Sequence, residues 1–338
     1  MRLSTFNFKS SVVWRGVWFL LIFCTALFLL LSTYSAYWLK QGYVPAIVDS
    51  KSLWAQQRDK VYSRNKTPLV FIGASRTLFG IDMPYMRERL PDFEPVMLAL
   101  NGLYPLATLQ DLALDKEFSG VVVVDIDSHG LNSVQNAMQQ GYVNYYHSGW
   151  NYSWRLHRYF LNKWQQFSVL GNPAVNGVEL LKRHVLKQEI PRQATLTTDI
   201  DRNSGLLLND ADGEVLKKIF VQLLRDDLES KYIADVEQWA SNLDNLKHWI
   251  GLIQARGGQV IFYTPPVSGE LQQLYDNMYP KQRYWDLLMA QLPVKALQAS
   301  EIEQMHSIVL PDGSHMNSAS KRAYSALLVD ALLERNML

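Results

Sequence analysis

The sequence predicts an α/β fold: a three-layer α/β/α, doubly wound parallel sheet preceded by one transmembrane helix. Three observations predict it. Short, wholly apolar runs alternate with amphipathic helical stretches, as strands buried on both faces of a parallel sheet do. Two of those helical stretches end on glycine directly before such a run. One uncharged run, "GVWFLLIFCTALFLLLSTYSAYWL" from Gly16 to Leu39, is long enough at about 1.5 Å per helical residue to cross a hydrocarbon core of roughly 30 Å.

Taken in chain order, residues 1–39 read as a cytoplasmic tip and a membrane anchor. Trp14 and Trp18 stand at one end of the apolar run, and Tyr34, Tyr37 and Trp38 at the other, as interfacial aromatics do. Arg2, Lys9 and Arg15 precede it while Lys40 and Lys51 follow, a slight excess of positive charge on the N-terminal side. A cleaved signal peptide is the rival reading; its apolar core is usually shorter, and "TYSA" is a poor cleavage site. The chain beyond residue 40 is then expected outside the cytoplasm, in the periplasm of a bacterial cell, carried by a single-pass inner-membrane anchor.

Residues 40–66, polar and helix-prone, read as a stalk. Residues 67–338 read as one sheet-based domain with strands at "PLVFIG" (68–73), "EPVMLAL" (94–100), "GVVVVDID" (120–127) and "GQVIFYTP" (258–265). The helix before the last of these places Val236, Trp239, Leu243, Leu246, Trp249, Ile250 and Ile253 on one stripe and ends at Gly257–Gly258. Residues 130–235 break the rhythm and read as an insertion capping the domain. Its aromatics Tyr142, Tyr145, Tyr146, Trp150, Tyr152 and Trp154 either stack on sugar rings or pack the insertion, and packing is the more economical expectation.

Composition narrows the function classes. Thirty-three Lys and Arg against 32 Asp and Glu leave a net charge of +1, with no dense basic block, so nucleic acid is not an expected partner. The only cysteine, Cys24, lies in the apolar run, which excludes an internal disulfide and a cysteine zinc site. No cofactor and no bound metal are expected.

Chemistry is expected where an open parallel sheet binds ligands, beyond the carboxyl ends of its strands. "FIGASRTLFGID" (71–82) puts Gly73 and Ser75 there, at the start of a helix. Ser75 fits two descriptions, a nucleophile with an unused backbone N–H for an oxyanion, or an ordinary helix-capping serine. Thr77 occupies the place of the second glycine in a G-x-S-x-G elbow, which disfavours the α/β-hydrolase fold. Near the C-terminus, "IVLPDGSHMNSASKRAYSALLVDALL" sets Asp312 three residues before His315. In a turn that spacing brings carboxylate and imidazole to one side, leaving the second ring nitrogen as a base for a hydroxyl.

These blocks together resemble the SGNH (GDSL-like) hydrolase superfamily, whose fold is flavodoxin-like. "IGASRT" is similar to its nucleophile block, "DGSHMN" to its D-x-x-H block, and "LALNGLYP" to its Asn-Gly block, carried here by Asn101 and Gly102. The third block, G-x-N-D, departs: "VVVVDIDSHGLN" lacks the oxyanion asparagine, for which Asn132 is a weak substitute. The resemblance spans residues 68–127 and 258–335. With its anchor, the chain is similar to the subset acting in alginate O-acetylation and teichoic-acid D-alanylation, beside a multi-span membrane acyltransferase. The resemblance implies acyl transfer or ester hydrolysis on a cell-surface polysaccharide through an acyl-serine on Ser75. His315 would be base and then acid, Asp312 would orient it, and the N–H groups of Ser75 and Gly102 would hold the oxyanion.

Arg76 is expected either to steady a substrate group or to pair with Asp82, and Asp127 and His129 to line the same crevice. Two other function classes stay open. One is an SGNH-like scaffold of weak or no activity that binds glycan. The other is a D-x-D glycosyltransferase holding a divalent ion on Asp125 and Asp127 with His129 beside them.

Overall fold

The computed structural model describes residues 10–63, 65–131, 139–188, 196–208, 210–229, 236–241 and 243–338. The chain forms two compact units, Met1–Ala46 with Lys163–Gln193, and Ile47–Asn162 with Ala194–Leu338.

The second unit holds the sheet. Its strands are β1 (Thr67–Ile72), β2 (Phe93–Met97), β3 (Val121–Asp125), β6 (Gln259–Thr264) and β7 (Lys295–Gln298), while β4 (Leu196–Thr197) and β5 (Gly205–Leu206) form a separate antiparallel pair. The five-stranded sheet is parallel throughout, in the order β2-β1-β3-β6-β7. Four strands fall where the apolar runs predict them, within a residue or two at most ends. The strand of "EPVMLAL" ends at Met97, but the Leu98 and Leu100 N–H groups still reach the Phe71 and Gly73 carbonyls at 2.9 and 3.0 Å before the turn at Asn101–Gly102.

Alternation along the strands sorts side chains to two cores. Val70, Ile72, Val122, Val124, Val260 and Phe262 face one apolar cluster. Leu69, Phe71, Val121, Val123, Ile261 and Tyr263 face the other. Helices 51–59, 106–114 and 243–255 supply the first cluster, and helices 75–80, 83–89 and 321–334 the second. This is the doubly wound three-layer arrangement expected from runs apolar on both faces. The 243–255 helix ends as its glycines suggest, with Gly257 at φ +79° and the Gly258 N–H returning to the Ile253 carbonyl at 3.1 Å.

Residues 51–62, expected as stalk, lie in this unit instead. Helix Lys51–Asp59 is capped by Ser50 and buries Leu53, Trp54, Ala55, Gln57 and Arg58. Trp54 donates its indole N–H to the Leu98 carbonyl at 3.0 Å, and Arg58 reaches Asp111 and Asp115, each at 2.7 Å. The stretch looks polar because its charged side chains are matched inside the fold. Of the insertion aromatics, Tyr142 and Tyr146 meet Trp54 edge-on, and Trp150 donates to Asp59 at 2.7 Å. Tyr152 is 87% exposed.

In the first unit, helix Ser10–Lys40 contains a segment, Val13–Lys40, long and apolar enough to span a membrane. Around its C-terminal end Trp38 packs with Val169 and Val175, and Asn172 donates to the Val44 carbonyl at 2.9 Å.

Candidate active site

The strand order reverses between β1 and β3, because the chain leaves β1 for β2 on one side and returns to β3 on the other. The crevice at such a switch point, outside the carboxyl ends, is the standard ligand position of open α/β sheets. Gly73–Ser75 sits at one lip of it and Asp125–Asp127 at the other.

β1 stops at Ile72, and the Gly73 carbonyl accepts the Leu100 N–H at 3.0 Å. Ala74 is extended and caps the helix Ser75–Gly80, so Ser75 is its first residue. Gly73 is required sterically. A Cβ there would lie 2.5 Å from both Asp125 Cβ and Thr77 Oγ1.

His315 is delivered by a turn stitched to the loop at 265–268. Gly313, at φ +81°, takes the left-handed conformation, and its carbonyl accepts the Ser268 N–H at 2.9 Å. Asp312 is fully buried. Its Oδ1 accepts the backbone N–H groups of Ser314 at 2.9 Å and His315 at 2.6 Å, which leaves Oδ2 for His315 Nδ1 at 2.8 Å. Burial pushes the Asp312 carboxyl up, but the hydrogen bond and charge of His315 and the two N–H donors hold it below the usual range. The ionised carboxylate thus accepts a hydrogen bond from Nδ1–H, which keeps the ring proton on Nδ1 and leaves Nε2 as an acceptor. Ser75 Oγ lies 2.7 Å from that Nε2 and donates to it. Phe79 and Phe220 stand against the imidazole, with ring centroids 6.0 and 5.5 Å away.

The geometry is that of an activated nucleophile: hydroxyl on base, base on buried carboxylate. Ser75 and His315, 240 positions apart in the chain, meet at one lip of the crevice.

Asn101 and Gly102 form the middle of an exposed turn in which the Leu103 N–H returns to the Leu100 carbonyl at 3.2 Å, with Gly102 at φ +69°. The Leu100–Gly73 hydrogen bond ties this turn to the serine loop. Asn132 lies outside the described residues.

Arg76 does not meet Asp82, which caps the next helix by accepting the Tyr85 N–H at 2.9 Å. Arg76 pairs through Nη2 with Asp127 and stands 3.8 Å from Asp125. Burial disfavours its charge, yet Asp125 and Asp127 raise its pKa on balance. Asp127 Oδ1 accepts the Gly130 N–H at 2.7 Å, and His129 Nδ1 meets the Tyr279 hydroxyl at 3.0 Å. The D-x-D pair is therefore turned onto an arginine, and no group of three or more potential metal ligands occurs among the described residues.

Asp125 serves the nucleophile turn. It accepts the Thr77 hydroxyl at 2.9 Å and the Ala74 N–H, and Tyr263 donates in turn to Thr77 Oγ1. Burial pushes its carboxyl up to about 6, with Arg76 opposing and Asp127 adding to the rise. Thr77, Tyr263 and Phe220 carry no motif, so sequence reasoning passes over them.

Beside the triad lies a cavity of about 510 Å³ at the ends of β3, β6 and β7. Arg76, Asp127, Tyr275, Tyr279 and Trp285 are among its lining residues, but Ser75 and His315 are not. It is the space next to the nucleophile, reached across Arg76, and not the reaction centre itself.

No protein-family model matches the chain, and no curated protein matches it. Among solved structures, one titled "Crystal Structure of TesA" aligns over 79% of this chain and 98% of its own, at 11% identity and a TM-score of 0.33. A likeness of that extent assigns neither function nor ligand.

Proposed function

We propose that this chain is a membrane-anchored serine esterase or O-acyltransferase of the SGNH type. It acts outside the cytoplasm on the O-acyl groups of a cell-surface polysaccharide, beside a multi-span acyltransferase. The observation that carries the reading is the unbroken relay from Ser75 through His315 to Asp312 at the switch point of the sheet. Ser75 attacks the acyl carbon, His315 takes its proton and returns it to the leaving alkoxide, and Asp312 keeps the imidazole in the required tautomer. A second alcohol then accepts the acyl group in transfer, or water in hydrolysis. The Ser75 N–H and the Gly102 N–H are the oxyanion donors in this reading. The spanning helix supports the anchor, and the sequence supports a cytoplasmic N-terminus. The same reading divides the chain into anchor, connecting segment and one catalytic domain carrying an insertion.

The test is p-nitrophenyl acetate hydrolysis by the full chain in detergent, beside Ser75→Ala. A loss of about 10³-fold or more is expected, in line with removal of a nucleophile acting within a triad; equal rates would remove the reading for that ester class.

One observation favours a second reading, a glycan-binding scaffold of low activity. Where the resemblance expects an asparagine donor after the third strand, the chain carries Asp125, spent on Ala74 and Thr77, and Asp127, spent on Arg76 and the Gly130 N–H. Loss of one oxyanion donor costs about 10²–10³ in rate.

A further inference from the structure

In the first unit, the end of the apolar helix Ser10–Lys40 is packed by a loop and a short helix that expose apolar side chains of their own. Tyr34 donates its hydroxyl to the Val175 carbonyl, and Trp38 packs with Val169 and Val175, with Leu180 against the same cluster. Tyr34 and Trp38 stand in about the last two turns of the Ser10–Lys40 helix. Those turns carry the aromatics that mark the boundary between hydrocarbon and water. Residues 169–180 are thereby held at the level where the helix leaves the hydrocarbon core.

Helix Gly177–Val185 starts from that point. Asn176 caps it by accepting the Glu179 N–H at 2.9 Å. Leu180 packs on the Trp38 cluster. Val178, Leu181 and Val185, spaced i, i+3 and i+7, form a stripe on another face and are 80%, 66% and 70% exposed. Leu186, just past the helix, and Phe167, before the loop, are exposed as well. No side chain of the helix is fully buried. A helix this short is marginal in water on its own, and Leu180 covers only one side of it. Charge points to what covers the other. Residues 163–193 carry five Lys and Arg against Glu179 and Glu189, a net excess of three positive charges. An apolar stripe with cations around it, beside a spanning helix, has the chemistry of a helix resting on phospholipid: hydrocarbon under the stripe and phosphate beside the cations.

We infer that Val178, Leu181 and Val185 insert into the interfacial layer of the bilayer beside the end of the spanning helix, so that phospholipid is the occupant of this face. The inference rests on the reading of Val13–Lys40 as a membrane span, and it gives the anchor a second contact with the same membrane.

The full chain is reconstituted in vesicles of phosphatidylethanolamine and phosphatidylglycerol. Cys24→Ala is the background, and an environment-sensitive fluorophore is placed on a single introduced cysteine at a time. Val178→Cys, Leu181→Cys and Val185→Cys report the stripe; all are exposed positions, so the others serve if one does not fold. His184→Cys reports the polar flank of the same helix, and Phe28→Cys the spanning helix. Labels on the stripe are expected to emit to the blue of the His184 label, to be quenched by nitroxide-bearing lipid as the Phe28 label is, and to resist aqueous iodide. Iodide quenching on the stripe equal to that at His184 overturns the inference. Protection from both quenchers overturns it too, since a second copy of the chain would then cover the face. Failure of the anchor reading is distinguishable, because the Phe28 label would then also escape the lipid quencher.

Discussion

Replacing Asp312 with asparagine exchanges one oxygen for an NH₂ group, and the structure specifies how that change reaches Ser75. Two backbone N–H groups, at 2.9 and 2.6 Å, point at Oδ1 of Asp312. The side chain is fully buried, so those donors have no water to turn to. In Asp312→Asn the amide oxygen must stay with them, and the NH₂ group is forced to face His315 Nδ1. Nδ1 then has to accept, the ring proton moves to Nε2, and Nε2 can no longer take the proton of Ser75 Oγ 2.7 Å away. The loss expected for a wrong tautomer in an otherwise intact triad is about 10⁴ in kcat, equal to roughly 5.5 kcal/mol of transition-state stabilisation. The assay is the pre-steady-state rate of ester cleavage by wild type and variant at the same pH, with circular dichroism to establish that both are folded. A loss of less than about 10-fold would refute the proton path through Nε2.

Other consequences follow from the packing. Gly73→Ala places a methyl group 2.5 Å from Asp125 Cβ and Thr77 Oγ1, and is expected to lower stability by about 1–3 kcal/mol in urea melts and to displace Ser75. Trp54→Ala should cost about 3–5 kcal/mol, since Trp54 is fully buried. A segment that merely linked anchor to domain would lose under about 0.5 kcal/mol. Lys321, whose ammonium donates to Asn203 and the Ser204 carbonyl, is lowered by burial to about 8, against Asp82 and Asp199. Its folded pKa lies below its ordinary value of 10.5, so the unfolded chain binds more protons between those limits and stability rises with pH across that window, by up to about 3 kcal/mol. Lys321→Met should flatten that rise, measured by melts at about pH 7.5 and pH 10; an unchanged slope would contradict the assignment.

The fold was legible because β1, β3 and β6 are apolar on both faces, a pattern that surface strands do not keep. β7 was not: its four residues, Lys295–Gln298, bury one side chain fully and sit between turn-forming neighbours. At the site, Ser75, Asp312 and His315 could be read because each belongs to a short motif with a fixed spacing to its partner or to a strand end. Arg76 pairing with Asp127, 51 positions away, depends on which strands are neighbours, and no local spacing encodes that. The Thr77–Asp125–Tyr263 contacts join the helix after β1 to the ends of β3 and β6 for the same reason. Residues 51–62 misled because Arg58 and Gln57 look solvated until Asp111 and Asp115 are placed opposite the first and the Ile200 carbonyl opposite the second.

The most direct measurement is intact mass spectrometry of the full chain, quenched in acid seconds after mixing with p-nitrophenyl acetate, followed by peptide mapping. One acetyl group on the peptide containing Ser75, absent from Ser75→Ala and accumulating slowly in Asp312→Asn, is the predicted result. Label spread over lysines, or equal label in wild type and Ser75→Ala, would contradict an acyl-serine at this site.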